Sequence, residues 1–271
     1  MRLNKLCNIE DWNDPAFVAT VRRFDQCYLQ ALPDYPAGRE HRKQWEFAHV
    51  LNGLDQLNVL HPDGMVLSVA GGYEHPAYDL TNRVRWVFLT DMYGETPFSG
   101  GESPARVLSQ PDSFAQFPYN RNRLVVQFMN ALDLRFEENT FDAVFCLSSI
   151  EHFGGMPAAR TALAEMHRVV KPGGVVAITT ESVVDGGPDF EEGNLILFGR
   201  ESVTALFGSF PGLALVEPID FSISPATMKS RISFTQALED ARLNRPRYPH
   251  IVLDLSGRSF TSIAIFLRKV S

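Results

Sequence analysis

The residues with the clearest capacity for chemistry follow an apolar run, in Val66-Leu67-Ser68-Val69-Ala70-Gly71-Gly72-Tyr73-Glu74-His75-Pro76. Small residues just after a strand let a ligand approach the backbone closely. The turn lacks the third glycine of a dinucleotide fingerprint and places Glu74 where a phosphate would lie. A carboxylate there repels phosphate and suits a ligand that carries an ammonium and a sulfonium. Asp91 closes the next apolar run about twenty residues further on, where an acid can accept hydrogen bonds from two ribose hydroxyls. Asp133, in Asn130-Ala131-Leu132-Asp133, follows a third run and can reach a purine amino group. Asp142 is read as structural, at the start of the fourth run. That run leads into Ser148-Ser149-Ile150-Glu151-His152-Phe153, which should face the reacting centre. His152 is the candidate general base there, because histidine titrates near neutrality. Glu74 and His75 are adjacent and lack a spaced third partner, so no metal site is assigned.

These residues need a scaffold of short strands, and the sequence supplies one. Met65 to Ala70, Trp86 to Thr90, Leu124 to Met129, Phe141 to Leu147 and Val175 to Thr180 are short apolar runs without strict alternation. Such runs suit a sheet covered on both faces, and their alternation with helical segments implies parallel, right-handed crossovers. The clearest helix spans about Pro157 to Val170 and is stopped by Lys171-Pro172-Gly173-Gly174. Residues 1–60 read as a helical extension. It starts with Asp14 as cap and Pro15 in the first turn, and continues in a second helix with Phe47, Val50, Leu51 and Leu54 on one face and Arg42, Lys43 and Glu46 on the other. Residues 61–271 form the main domain, with insertions at about 93–122 and 222–248 that fit neither pattern. The first follows a strand's carboxyl end and should overhang a ligand bound there. Ile251 to Leu255 and Ser259 to Leu267 read as a terminal hairpin.

Composition narrows the function classes. A chain of 271 residues with 45% hydrophobic content buries one large core. No apolar run reaches 18 residues and the amino terminus lacks a signal-peptide core, so a soluble, cytoplasmic protein without membrane partners is expected. Cys7, Cys27 and Cys146 have no CxxC spacing and point to reduced thiols. A net charge of −7 argues against nucleic acid as a partner.

Taken in order, the glycine turn, Asp91, Asp133 before Phe141-Asp142, Ile150-Glu151-His152 and Glu165-Met166-His167-Arg168-Val169-Val170-Lys171-Pro172-Gly173-Gly174 resemble the class I S-adenosylmethionine-dependent methyltransferases of the type 11 group. The resemblance covers residues 65–180. It implies an α/β, Rossmann-like, doubly wound and mostly parallel sheet of seven strands, the last reversed, with helices on both faces. It also implies S-adenosylmethionine as cofactor, with the glycine turn (Ser68, Ala70, Gly71, Gly72, Glu74) under the methionine moiety, Asp91 at the ribose, Asp133 near the adenine, and Met92 and Leu132 among the cofactor contacts. Ser148 and Glu151 complete the implied contacts. The turn departs from the family pattern, with Ser68 in place of an acid, Ala70 of the first glycine and Glu74 of the third. No Asn-Pro-Pro-Tyr-like run follows the fourth strand, which disfavours a nucleic-acid base and favours a small-molecule or sugar acceptor. Two other classes stay open: a noncatalytic Rossmann-like nucleotide-binding or scaffold protein, and an enzyme that uses another nucleotide cofactor.

Overall fold

The computed structural model describes residues 1–29, 31–243 and 245–270. Five parallel strands form its centre: β1 (Met65–Val69), β2 (Trp86–Asp91), β3 (Leu124–Phe128), β4 (Phe141–Leu147) and β5 (Val170–Val183), in the order β3-β2-β1-β4-β5. The hairpin at the end of the chain comprises β7 (Val252–Leu255) and β8 (Arg258–Lys269), and β8 lies antiparallel on β5 from Phe260↔Val183 to Arg268↔Val175. With β6 (Leu213–Leu215) on β8, these give the seven-stranded order with one reversed strand implied by the resemblance.

The sheet nevertheless has ten strands rather than seven. The additional ones are Lys5–Leu6, Arg231–Ser233 and β7. The reason lies in the length of β8, whose outer edge would otherwise present unpaired peptide groups to solvent. Three short segments cover that edge in succession: β7 against Arg258 to Phe260, Lys5–Leu6 against Ile263 and Ala264, and β6 against Leu267 to Lys269. Residues 1–60 therefore hold a strand of the main sheet as well as helices. Residues 222–248 contain the helices Pro225–Met228 and Phe234–Arg242 and the strand Arg231–Ser233, where the sequence reads as irregular.

Alternate residues of the buried strands feed two separate apolar layers, which is why the runs carry no polar alternation. One layer gathers Val66, Phe145, Ala177 and Phe266 under α1 (Pro15–Phe24) and α2 (Arg42–Gln56). The other gathers Leu67, Val144, Ile178 and Ile265 under α3 (Met156–Val169) and α4 (Arg200–Phe207). As expected, Asp14 caps α1 by accepting from Ala16 N at 2.9 Å, with Pro15 in the first turn. Gly53 lets α2 rest directly on the sheet, since a Cβ there would fall 2.3 Å from the Phe266 ring. Among the described residues no helix is long and apolar enough to cross a membrane.

Candidate functional site

The turn after β1 is bent by two consecutive demands on the backbone. Ala70 has φ 51° and Gly72 φ 50°, the left-handed region that costs an alanine roughly 1–2 kcal/mol and a glycine little. The bend is fixed from several sides. Gly71 N donates to Thr90 O at 3.0 Å and Gly72 N to Asp91 Oδ2 at 2.9 Å. Tyr93 OH donates to Gly72 O at 2.7 Å and Ser149 Oγ to Ala70 O at 2.9 Å. Both glycines are sterically required: a Cβ on Gly71 would lie 2.0 Å from Ser68 Oγ, and one on Gly72 would lie 2.1 Å from Glu102 O.

A cavity of about 620 Å³ opens above this turn, across the carboxyl ends of the strands. Nine of the residues singled out in the sequence line it: Ala70, Gly71, Gly72, Glu74, Asp91, Met92, Leu132, Ser148 and His152. Three do not. Ser68 is fully buried beneath Gly71. Glu151 is buried behind the wall, where Oε2 accepts from Thr180 Oγ1 at 2.9 Å. Asp133 is exposed and ion-paired with Arg135 at 3.6 Å, while Met129, Asn130, Ala131 and Leu132 form the wall nearby. The segment after β2 overhangs the cavity with Thr96, Pro97, Phe98, Glu102 and Ser103, and the Phe98 ring meets His152 edge-on at 4.8 Å.

Sequence reasoning missed the opposite wall, which α2 and β5 build from Arg42, Lys43, Phe47 and Glu181. Charges at three- and four-residue spacing read as a solvated helix face, yet Glu46 is fully buried and Arg42 is 9% exposed. Glu46 accepts from Lys43 Nζ at 3.0 Å, Arg42 Nη1 at 3.3 Å, Ser262 Oγ at 2.5 Å and Thr179 Oγ1 at 3.4 Å. Arg42 also holds Glu181 Oε1. A signal was present: cations in the first turn of a helix oppose its dipole and need another reason to be there. A glutamate inside the apolar run of β5 was a second one.

Burial and charge set the protonation states. Burial pushes Glu74 and Glu181 above the usual carboxylate range, and burial followed by the charge of Glu181 raises Glu151 to about 8. Glu46 stays low because Lys43 and Arg42 outweigh its desolvation. Burial lowers His152 to about 4, with Lys43 adding to the effect, so its imidazole is neutral. His49, His75 and His250 are lowered to about 4 as well, each first by burial. A histidine with a depressed folded pKa binds fewer protons folded than unfolded, so its contribution is whole above pH ~6.5 and is lost as pH falls toward 4. Glu151 acts in the opposite sense, its contribution being lost as pH rises from the ordinary carboxyl range through 8, and the raised Glu74 and Glu181 act with it, against the four histidines. The melting temperature is therefore predicted to peak near pH ~6.5 and to drop steeply on the acid side, with protons taken up on unfolding. A flat profile from pH ~4 to 7 in scanning calorimetry would contradict this assignment of neutral, buried imidazoles.

The site fits a cofactor with an ammonium and vicinal hydroxyls better than one with a pyrophosphate. Glu74 Oε2 is buried without a partner, as is Ser148 Oγ. Asp91 is 7% exposed and commits Oδ2 to Gly72, so its other oxygen can take a ligand hydroxyl.

Residues 109–178 match the family described as a methyltransferase domain. Solved structures agree with the fold. A protein from Galdieria sulphuraria assigned as a sarcosine dimethylglycine methyltransferase has a TM-score of 0.52 at 17% identity, with 84% of each chain covered. The 4+2 cyclase SpnF has a TM-score of 0.54 at 16% identity, over 92% of this chain and 96% of that one. The Burkholderia thailandensis 1,6-didemethyltoxoflavin-N1-methyltransferase, solved with its acceptor and S-adenosylhomocysteine, has a TM-score of 0.52 at 15% identity, over 95% and 91%.

Proposed function

We propose that the chain is a class I S-adenosylmethionine-dependent methyltransferase that passes the methyl group to a small-molecule or glycan-type acceptor, at oxygen or nitrogen. The observation that carries the acceptor class is the size of the cavity, about 620 Å³. That volume lies within the roughly 300–1,000 Å³ of small-molecule sites, and the loop after β2 overhangs it. The Burkholderia enzyme, solved with 1,6-didemethyltoxoflavin bound, supports the same reading.

When bound, the cofactor supplies an electrophilic methyl on a sulfonium whose departure needs no metal. The chain's own residues orient and desolvate. In this reading Asp91 takes the ribose hydroxyls, Gly71 and Gly72 allow close approach of the methionine moiety, and Met92 and Leu132 pack beside the adenosine. Ser148 adds a hydroxyl at the end of β4. Asp133, exposed beside the rim, contributes through its charge rather than by burial against the base. His152, just after β4, has a neutral imidazole that is hydrogen-bonded to the Asn194 backbone, and its other nitrogen can take a proton from a hydroxyl acceptor. Phe98 and the loop around it exclude water from the reacting centre.

The direct test is a thermal-shift series with S-adenosylmethionine, S-adenosylhomocysteine and NAD. Stabilisation by the first two alone is expected; a response to NAD and none to either sulfur compound would replace this reading.

Glu74 is predicted to do the electrostatic work that an acid at position 68 does elsewhere in the family. Its buried, unpartnered Oε2 faces the methionine end of the cavity, whereas Ser68 lies under Gly71. Glu74→Gln should weaken S-adenosylmethionine binding by about tenfold, and Ser68→Ala by much less. Calorimetry on both variants, with folding checked, decides it; the reverse order defeats the assignment.

A further inference from the structure

We propose that the end of the cavity formed by Glu181 and Arg42 binds the acceptor as a cationic amine and that Glu181 takes its proton, an inference that rests on the methyl-transfer reading above. Glu181 sits near the end of β5, is 4% exposed and lines the cavity. Arg42 holds its Oε1, whereas its Oε2 is buried without any partner. Behind it, Glu151 is fully buried with Oε1 equally unpartnered. A buried carboxylate oxygen without a donor is costly, and a ligand N–H removes that cost.

Charge balance selects the kind of donor. Arg42 and Lys43 from α2 face four carboxyl groups, Glu46 from the same helix, Glu74 from the glycine turn, Glu151 from the turn after β4, and Glu181 from β5. Glu74 is accounted for by the cofactor's ammonium. Three carboxyl groups then share two cations, and Glu46 already receives four donors. The group left over stays protonated at neutral pH, with Glu151 at about 8. An arriving ammonium replaces that proton. Phe47, Phe98, Leu147 and Phe153, which line the same cavity, suit the apolar body of such an amine, and aromatic faces favour a nearby cation.

The step balances without further reagents. The ammonium N–H proton moves to Glu181 Oε2 and frees the nitrogen lone pair. That pair forms the new N–C bond while the S–C bond breaks with its electrons on sulfur. A neutral thioether and a methylated ammonium result, with one proton held on Glu181.

The full chain, saturated with S-adenosylhomocysteine, is titrated by calorimetry and thermal shift with benzylamine and phenethylamine and with the matching alcohols. Failure of S-adenosylhomocysteine itself to bind overturns the methyl-transfer reading and this inference with it. Otherwise, at least one amine should bind about tenfold more tightly than its alcohol. Binding should release a proton, seen as different apparent enthalpies in phosphate and Tris buffers. Glu181→Gln, which keeps an oxygen for Arg42, should reduce amine affinity about tenfold and leave S-adenosylhomocysteine affinity unchanged. If that variant does not fold, the amine-to-alcohol ratio and the buffer comparison on the unsubstituted chain decide. The inference is overturned if cofactor product binds but no amine does, if alcohols bind as well as amines, or if Glu181→Gln binds the amine unchanged.

Discussion

Glu46→Ala should lower folding stability by about 3–5 kcal/mol, the cost of removing one partner from a buried charged network. Glu46 is fully buried and satisfies Arg42, Lys43, Ser262 and Thr179 at once. Without it, Arg42 keeps only Glu181 as a charged partner, and the hydroxyls of Ser262 and Thr179 face a void. Buried ion pairs often contribute little net stability against an apolar replacement, because desolvation offsets their attraction. Breaking one is a different experiment, since it strands the other charge. The double variant Glu46→Leu with Arg42→Met should therefore recover part of the loss. Urea unfolding measures both; a loss below about 1 kcal/mol in Glu46→Ala would show that Glu181 alone suffices for Arg42.

Asp91→Ala is predicted to weaken S-adenosylhomocysteine binding by a factor of ten or more, through loss of a charge-assisted acceptor worth about 1.5–3 kcal/mol. Two effects combine. The ribose loses its carboxylate, and Gly72 N loses the acceptor that helps hold the turn. Asp91→Asn separates them, because an amide oxygen can still accept from Gly72 while the charge is gone. Calorimetry should place Asp91→Asn between the unsubstituted chain and Asp91→Ala. Unchanged affinity in Asp91→Ala with intact folding removes Asp91 from the site.

The parts of the molecule written in short, local patterns were readable from the chain. The five parallel strands, the cap at Asp14, the terminal hairpin and the glycine turn all depend on neighbours within a few residues. Nine cavity residues were legible for the same reason, since they sit where strands end. The far wall was not legible. Arg42 and Lys43 become site residues only because α2 lies across β5 and β8, and the bonds from Arg42 to Glu181 and to Ser262 join residues 139 and 220 positions apart. Asp133 shows the converse: a residue type in the expected order, but with a side chain that faces solvent. The strands Lys5–Leu6 and Arg231–Ser233 were hidden because two- and three-residue segments carry no periodicity; the first is paired by the edge of β8 and the second by β7.

That edge also fixes when the protein can become competent during its synthesis. Lys5 and Leu6 leave the ribosome long before their partners, Ala264 and Ile263. Ser262, which orients Glu46 beneath the cavity, emerges with them. The central strands can assemble while the chain grows, but the Lys5–Leu6 segment waits with unpaired peptide groups, and the α2 wall lacks its anchor until Ser262 has emerged. Contacts this distant in sequence close slowly. The nascent chain therefore passes through a stage in which the glycine turn exists and the anchored α2 wall does not. A stop codon a few residues before Phe260 would leave the chain at that stage, with β5 exposed as a bare edge for other chains to pair with.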